Sequence, residues 1–398
     1  MLGEVAELLM GNSPPGDTYN ENEVGLPLIN GPAEYGSRHP KPVKWTSAPS
    51  RICKRGDVLV CVRGNTTGRV NIADTEYCIG RGIAAIRGKP SVSDTEFLSF
   101  VLQWKADRIL ELATGGGSTF PNITKPQLEE LPVPGFYLPE QAKIAEVLRT
   151  VQRAKEATEK VIAATRQLKA SLMKHLFTYG PVPLHQADMV PLKDTEIGPI
   201  PDAWQVVPLG EVCDFRGGTQ PPKRTFIYEP REGYIRLLQI RDFDTDEHAT
   251  YVKAEGKLRM AVEDDILIGR YGASVGKILR GKSGAINVAI VKALPDELHI
   301  SKDYLYYLLQ GDGFQGFVRS LGGRAAQAGF NRGELKSYQI PLPKLDEQGL
   351  VAGMLESVGR RIMADENRSR TLESMFKTLL HHLMTGKVRL PGFGGRTS

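Results

Sequence analysis

The sequence predicts a mixed α/β architecture, with two duplicated globular domains joined by two long, paired coiled-coil helices. Three observations predict it. The chain of 398 residues repeats itself at an offset of about 207 residues; each repeat ends in an amphipathic stretch of about 40 residues; and short runs rich in Val and Ile, bounded by Gly and Asp, fill the rest.

The duplication can be followed residue by residue. Leu2-Gly3-Glu4-Val5 returns as Leu209-Gly210-Glu211-Val212, and Pro14-Pro15 as Pro221-Pro222. Gly56-Asp57-Val58-Leu59, leading to Gly64-x-x-x-Gly68-Arg69, returns as Asp264-Asp265-Ile266-Leu267 leading to Gly272-x-x-x-Gly276-Lys277. Gly115-Gly116 matches Gly322-Gly323. Each half closes alike: Leu131-Pro132-Val133-Pro134 precedes Glu140-Gln141, and Ile340-Pro341-Leu342-Pro343 precedes Glu347-Gln348. A period this long means duplicated domains rather than a solenoid.

Within each block, residues 58–62, 266–269 and 286–291 read as strands, and residues 97–112 and 304–309 as helices. The closing stretches are the strongest helix signals. The first starts at Pro139, whose fixed φ suits a helix start, and carries Ile144, Leu148, Val151, Ile162, Leu168, Leu172 and Leu176 before Tyr179-Gly180-Pro181. The second carries Val351, Leu355, Val358, Ile362, Leu372, Phe376, Leu379 and Leu383 before Gly386. At 1.5 Å per residue each is roughly 60 Å long, and its spacing of three and four residues over more than four heptads argues for a paired coil. Both seams turn polar midway, at Lys155 and Thr158 and at Asp365 and Ser369. That fixes register or marks a solvated middle. Gly349, Gly353 and Gly359 weaken the second helix, so its start depends on a packing partner.

Composition narrows the function classes. With 41% hydrophobic residues the chain buries more than one core, and no run of about 18 apolar residues or secretory leader pattern occurs. A cytoplasmic protein is expected. Cys53, Cys61, Cys78 and Cys213 show no CxxC spacing, so buried free thiols are expected, and no metal site is. The net charge of +5 is mild, and its positive excess lies on residues 139–180, 207–345 and 346–398. That distribution is compatible with a polyanion partner without requiring one.

A globular block, an Ile/Leu-Pro-Leu/Val-Pro turn, Glu-Gln opening a long helix, and then all of it again: this resembles the specificity subunits of Type I restriction-modification enzymes along essentially the whole chain. Glu196-Ile197-Gly198-x-Ile200-Pro201-x-x-Trp204 is similar to that family's usual lead into a recognition domain, and the first half lacks a counterpart of Pro201-x-x-Trp204. The resemblance implies target-recognition domain 1 at residues 1–138, a first spacer helix at 139–180, a linker at 181–206, target-recognition domain 2 at 207–345, a second spacer helix at 346–386 and a tail at 387–398, with the two long coiled-coil helices antiparallel. It implies double-stranded DNA, two methyltransferase subunits and restriction/translocase subunits as partners. The candidate partner-binding positions lie on the helices: Ile144, Leu148, Val151, Leu172, Val351, Leu355, Leu379 and Leu383. No cofactor is expected on this chain, with S-adenosylmethionine, ATP and Mg on the partners.

No catalytic constellation survives inspection. An adenine methyltransferase needs an aromatic after its Pro-Pro, and Ser13-Pro14-Pro15-Gly16 and Gln220-Pro221-Pro222-Lys223 have none. Gly272-Ala273-Ser274-Val275-Gly276-Lys277-Ile278 has three residues between its glycines where a phosphate-cradling loop needs four. Pro295-Asp296 with Glu334-x-Lys336 fits a loose nuclease pattern that its first-half counterpart lacks. A Mg²⁺-dependent nuclease and a stand-alone DNA-binding regulator are therefore the rival readings, and a scaffold coiled coil leaves the duplicated blocks unexplained.

Recognition chemistry remains. Arg and Lys bind phosphates or guanine edges, Asn and Gln suit adenine, and base contacts rather than phosphate contacts give specificity. The Gly-x-x-x-Gly loops offer Arg63, Asn65, Thr66 and Arg69 in one half and Arg270, Tyr271, Ser274 and Lys277 in the other. The Gly-Gly loops add Ser118, Thr119 and Asn122, then Arg324, Gln327 and Asn331. Each of these fourteen residues could instead be a solvated charge or a turn cap. Two different readers on one pseudo-twofold frame should contact a split, asymmetric target whose unread spacer is set by the helices.

Overall fold

A computed structural model describes residues 1–115, 120–322 and 329–393. In the first half a four-stranded antiparallel sheet forms from β1 (Ala6–Met10), β2 (Val58–Cys61), β3 (Val70–Ile72) and β4 (Ile83–Gly88), in the order β1-β4-β2-β3. The second half repeats it with β5 (Cys213–Gly217), β6 (Leu267–Gly269), β7 (Ile278–Leu279) and β8 (Ile290–Pro295), in the order β5-β8-β6-β7. A second, mixed sheet accompanies each, built in the first half around the parallel pair Leu26–Ile29 and Tyr77–Ile79, and in the second around Tyr234–Leu238 and Gly284–Ile286.

The repeated Gly/Asp-Asp-Val/Ile-Leu phrase turns out to be structural. Asp57 is buried, accepts the Lys54 N–H and is clamped by both Nε and Nη2 of Arg87 at 2.7 and 2.8 Å. Asp265 does the same with the Val262 N–H and Lys292.

Two sequence expectations are corrected. Residues 286–291 are not one strand: Gly284–Ile286 ends in one sheet and β8 begins in the other, with Asn287 turning the chain by accepting the Ala289 N–H. A run of Ile and Val carries no mark of which sheet it serves. Residues 97–112 form two helices, Thr95–Trp104 and Ala106–Thr114, broken at Lys105.

The two long helices run Leu138–Tyr179 and Leu345–Met384. The chain divides into two units, residues 1–160 with 366–398, and residues 161–365. In the first unit Phe97, Phe100, Val101 and Ile109 pack on Ile144 and Leu148 of one long helix and on Leu380 and Leu383 of the other. In the second, Phe215, Tyr304, Leu305 and Phe314 pack on Leu176 and on Val351 and Leu355. Within each unit the start of one helix therefore lies against the end of the other, the antiparallel pairing that the resemblance implies. Lys155 forms an ion pair with Glu373 across the seam of the first unit, which raises the lysine and lowers the carboxyl from their usual ranges.

Glu-Gln, the motif that opens both helices, is a latch. Gln141 accepts from Ser93 Oγ and the Asp94 N–H, and donates to the Phe136 carbonyl at 2.8 Å. Gln348 accepts the Ser301 N–H at 2.7 Å and donates to the His299 and Pro343 carbonyls, each at 2.9 Å. Asp94 and Ser301 are the N-caps of the domain helices Thr95–Trp104 and Lys302–Leu308, so each latch ties a long helix to its own domain. The acidic neighbours are paired too. Buried Glu140 is held by Arg389 through two bonds of 2.7 and 2.8 Å, and Glu347 accepts from Trp204 Nε1 at 3.4 Å. The C-terminal segment thus supplies in the first unit what Trp204 supplies in the second, a donor to the Glu that opens the long helix.

Candidate nucleic-acid interface

In each unit the Gly-x-x-x-Gly loop is pinned to the segment that follows the Gly-Gly pair. The main chain bridges Arg63 to Asn122 in the first half and Tyr271 to Gly329 in the second. Gly64 donates to the Pro121 carbonyl at 2.9 Å, and the Ile123 N–H donates to Val62 O at 3.0 Å. Gly64, Gly68, Gly272 and Gly276 all have φ between 65° and 93°, a left-handed turn that side chains resist. The structure thus sets each Gly-x-x-x-Gly loop against the described residues that follow its Gly-Gly pair.

Their side chains are not equally available. Arg63 Nε donates to Asn122 Oδ1 at 3.0 Å, which leaves the outer guanidinium nitrogens facing solvent beside the exposed Asn65 and Arg69. Thr66 is half-buried, with its hydroxyl against the Cys61 thiol. In the second half Arg270 donates to the Phe330 carbonyl and stacks on Tyr271 at 4.8 Å, and Lys277 Nζ is 2.8 Å from both carboxylate oxygens of Asp244. Ser274 is half-buried in the turn, and Asn331 caps the helix Arg332–Ser337 by accepting the Glu334 N–H. Ser118, Thr119, Arg324 and Gln327 lie outside the described residues.

Further loops complete the rim. Val62 N–H donates to the Gly82 carbonyl, Asn12 N–H to Ile79 O, and Gly80 N–H to Ile29 O, which sets residues 11–13, 30–31 and 80–82 beside the Arg63 loop. The second unit repeats this through Arg270 N–H to Ala289 O, Thr219 N–H to Ile286 O and Asn287 N–H to Leu238 O. The flanking glycines of Gly80-Arg81-Gly82 were the available sequence signal for this part of the rim.

The remaining candidates have other occupations. Ile144, Leu148, Val151, Val351, Leu355 and Leu383 are buried in the chain's own packing, and Leu172 and Leu379 are half-buried. The six buried side chains are therefore not available to a partner. In the loose nuclease pattern, Glu334 accepts the Asn331 N–H, Lys336 pairs with Asp214, and Asp296 pairs with His299. Cys53 and Cys213 are buried, which pushes both thiols up to about 12. No helix among the described residues is long and apolar enough to cross a membrane.

The profile of the Type I restriction modification DNA specificity domain matches residues 1–165 and again 201–374. The chain belongs to this family. It is 24% identical to the Type I restriction enzyme MjaVIII specificity subunit of Methanocaldococcus jannaschii, over 98% of this chain and 92% of that one. A relative from the same archaeon, MjaX, is 36% identical over 43% of this chain and 40% of its own length. Among solved structures, the S subunit of the M. genitalium Type I system aligns with a TM-score of 0.65 at 19% identity, covering 96% of this chain and 94% of that one. A chain from a structure of Type I complex assembly and conformational transition aligns at 0.54 and 18%, with 97% of both chains covered. The first alignment extends the fold of an S subunit over nearly the whole chain, and the match of the family to each half restates the internal duplication.

Proposed function

We propose that this specificity subunit reads a split, asymmetric DNA site through its two rims and carries no catalysis of its own, methylation and cleavage being the work of partner subunits. The observation that carries this is the duplicated rim, rich in exposed Arg and Asn in one half and differently built in the other. Arg and Asn present the donor and acceptor pairs that guanine and adenine edges demand. Two rims of different composition read two different half-sites. S-adenosylmethionine, ATP and Mg²⁺ then belong to the methyltransferase and restriction/translocase subunits. Mapping methylated bases genome-wide in cells with and without the gene tests it: a bipartite motif should vanish with the gene, and an unchanged methylome sinks the reading.

The docking face for a methyltransferase subunit is the outer side of the second long helix near its start. Gly349, Leu350, Gly353, Met354 and Ser357 line an open groove of about 510 Å³ there with Leu172, and a Cβ on either glycine would meet nothing within 4 Å. The equivalent positions of the first helix are Ala142, Lys143, Glu146, Val147 and Thr150, with Lys143 and Glu146 paired at 2.7 Å. Apolar and charged versions of one face differ in salt response. The double variant Leu350→Asp, Met354→Asp should therefore lose one of two bound methyltransferase copies by mass measurement of the assembled complex. Retention of both copies places the docking face elsewhere.

A further inference from the structure

We infer that Arg81 reads a guanine in the half-site of the first domain, and that the second domain reads no guanine at the corresponding position because Val288 stands there. The inference rests on the DNA-reading function proposed above and assigns one base contact within it.

The geometry around Arg81 is that of a presented side chain. A Cβ at Gly80 would overlap Asn30 Oδ1, and one at Gly82 the Asn30 carbonyl, so Asn30 packs flat against both neighbours and only glycine fits at either place. Two main-chain bonds and one to a side chain hold the tip: Gly80 N–H to Ile29 O at 2.8 Å, Val62 N–H to Gly82 O at 2.8 Å, and Arg81 N–H to Ser13 Oγ at 3.3 Å. The Arg81 side chain itself is exposed, and among the described residues it has no hydrogen-bond or ion-pair partner. A cation on a backbone so tightly fixed differs from one on a flexible surface loop, because less freedom is lost when its fork engages a planar acceptor pair.

Arg81 also stands next to the reading loop. The bond from Val62 to Gly82 joins the chain neighbours of Arg63 and Arg81, and the Arg63 guanidinium is in turn oriented by Asn122. Exposed Asn12 and Asn65 complete the same edge. Guanine is the base whose O6 and N7 accept a bidentate Arg in the major groove.

The internal repeat supplies a second, independent observation. Gly11, Ile79 and Ile83 correspond to Gly218, Ile286 and Ile290 by identical main-chain bonding, which aligns Arg81 with Val288. The same correspondence aligns Arg63 with Tyr271 and Asn122 with Gly329, through the equivalent bridges. Across these three positions every hydrogen-bonding reader of the first rim is exchanged for an apolar, aromatic or absent side chain in the second, within matching main-chain bonds although Gly80 and Gly82 become Asn287 and Ala289. Packing does not require the exchange, since Arg81 and Val288 are both exposed. Val288 offers a methyl contact of the kind that suits a thymine.

The test uses the full chain assembled with its methyltransferase partner and a pool of randomised duplexes, with the bound fraction sequenced. The wild-type complex should select a bipartite motif with a G·C pair at one position of one half-site. Arg81→Val should relax that pair alone by about 5- to 150-fold, the range of one bidentate contact, with every other position unchanged. Val288→Arg should add a guanine preference to the other half-site. If Arg81→Val leaves the motif intact, or weakens all sequences alike while lowering the salt slope by about one, Arg81 is at most a phosphate contact and the inference fails while the DNA-reading function stands. If the wild-type complex selects no motif, that function fails with it.

Discussion

Replacing Arg389 with Ala is expected to destabilise the first unit by about 3 kcal/mol, although Arg389 lies within ten residues of the C-terminus and outside the family match. Its partner decides the magnitude. Glu140 is 1% exposed and its two oxygens each accept one bond from the guanidinium, so removing Arg389 strands a carboxylate among Phe136, Ile144 and the rest of that core. An exposed ion pair such as Lys143–Glu146 would cost under about 1 kcal/mol by comparison. Hydrogen exchange of amides in residues 94–150 measures the effect where it arises, and a chain ending at Gly386 should behave like the point variant. Adding Glu140→Gln to Arg389→Ala should restore most of the loss, because the stranded charge is gone. If the single variant exchanges like wild type, the C-terminal segment is not a structural part of the first unit.

This contact also shows which parts of the molecule were legible in the sequence. Helical periodicity announced both long helices to within a residue or two, and repetition picked out the Gly-x-x-x-Gly loops, because both signals are local or recur at a fixed offset. Arg389 and Glu140 are 249 residues apart, and no periodicity marks such a pair. Asn331 was a fair candidate reader by residue type, yet the Glu three places on marks the capping box that occupies it. Arg81 escaped for a more general reason. A search for repeats favours positions that match, whereas two readers of different half-sites must differ at the positions that read.

On the proposed reading the long helices set the spacer, and shortening them gives the second large effect. Removing one heptad from each long helix, residues 156–162 and 366–372, keeps the Lys155–Glu373 pair and the seam phase. At 1.5 Å per residue the deletion takes out about 10 Å, equal to about three base pairs of duplex at 3.4 Å each. The spacer of the recovered motif should shorten by about three base pairs while both half-site sequences stay as they were. Affinity should fall as well. Three base pairs turn the half-sites by about 100° about the duplex axis, whereas a heptad leaves the helices within about 20° of their former orientation, so DNA twist must absorb the difference. Deleting the heptad from one helix alone should cost folding instead, because the Gln141 and Gln348 latches fix each helix start to its own domain and the two helices could no longer match in length. Sequencing the motif methylated by the doubly shortened chain decides it, and an unchanged spacer means that something other than the helices sets the distance between the readers.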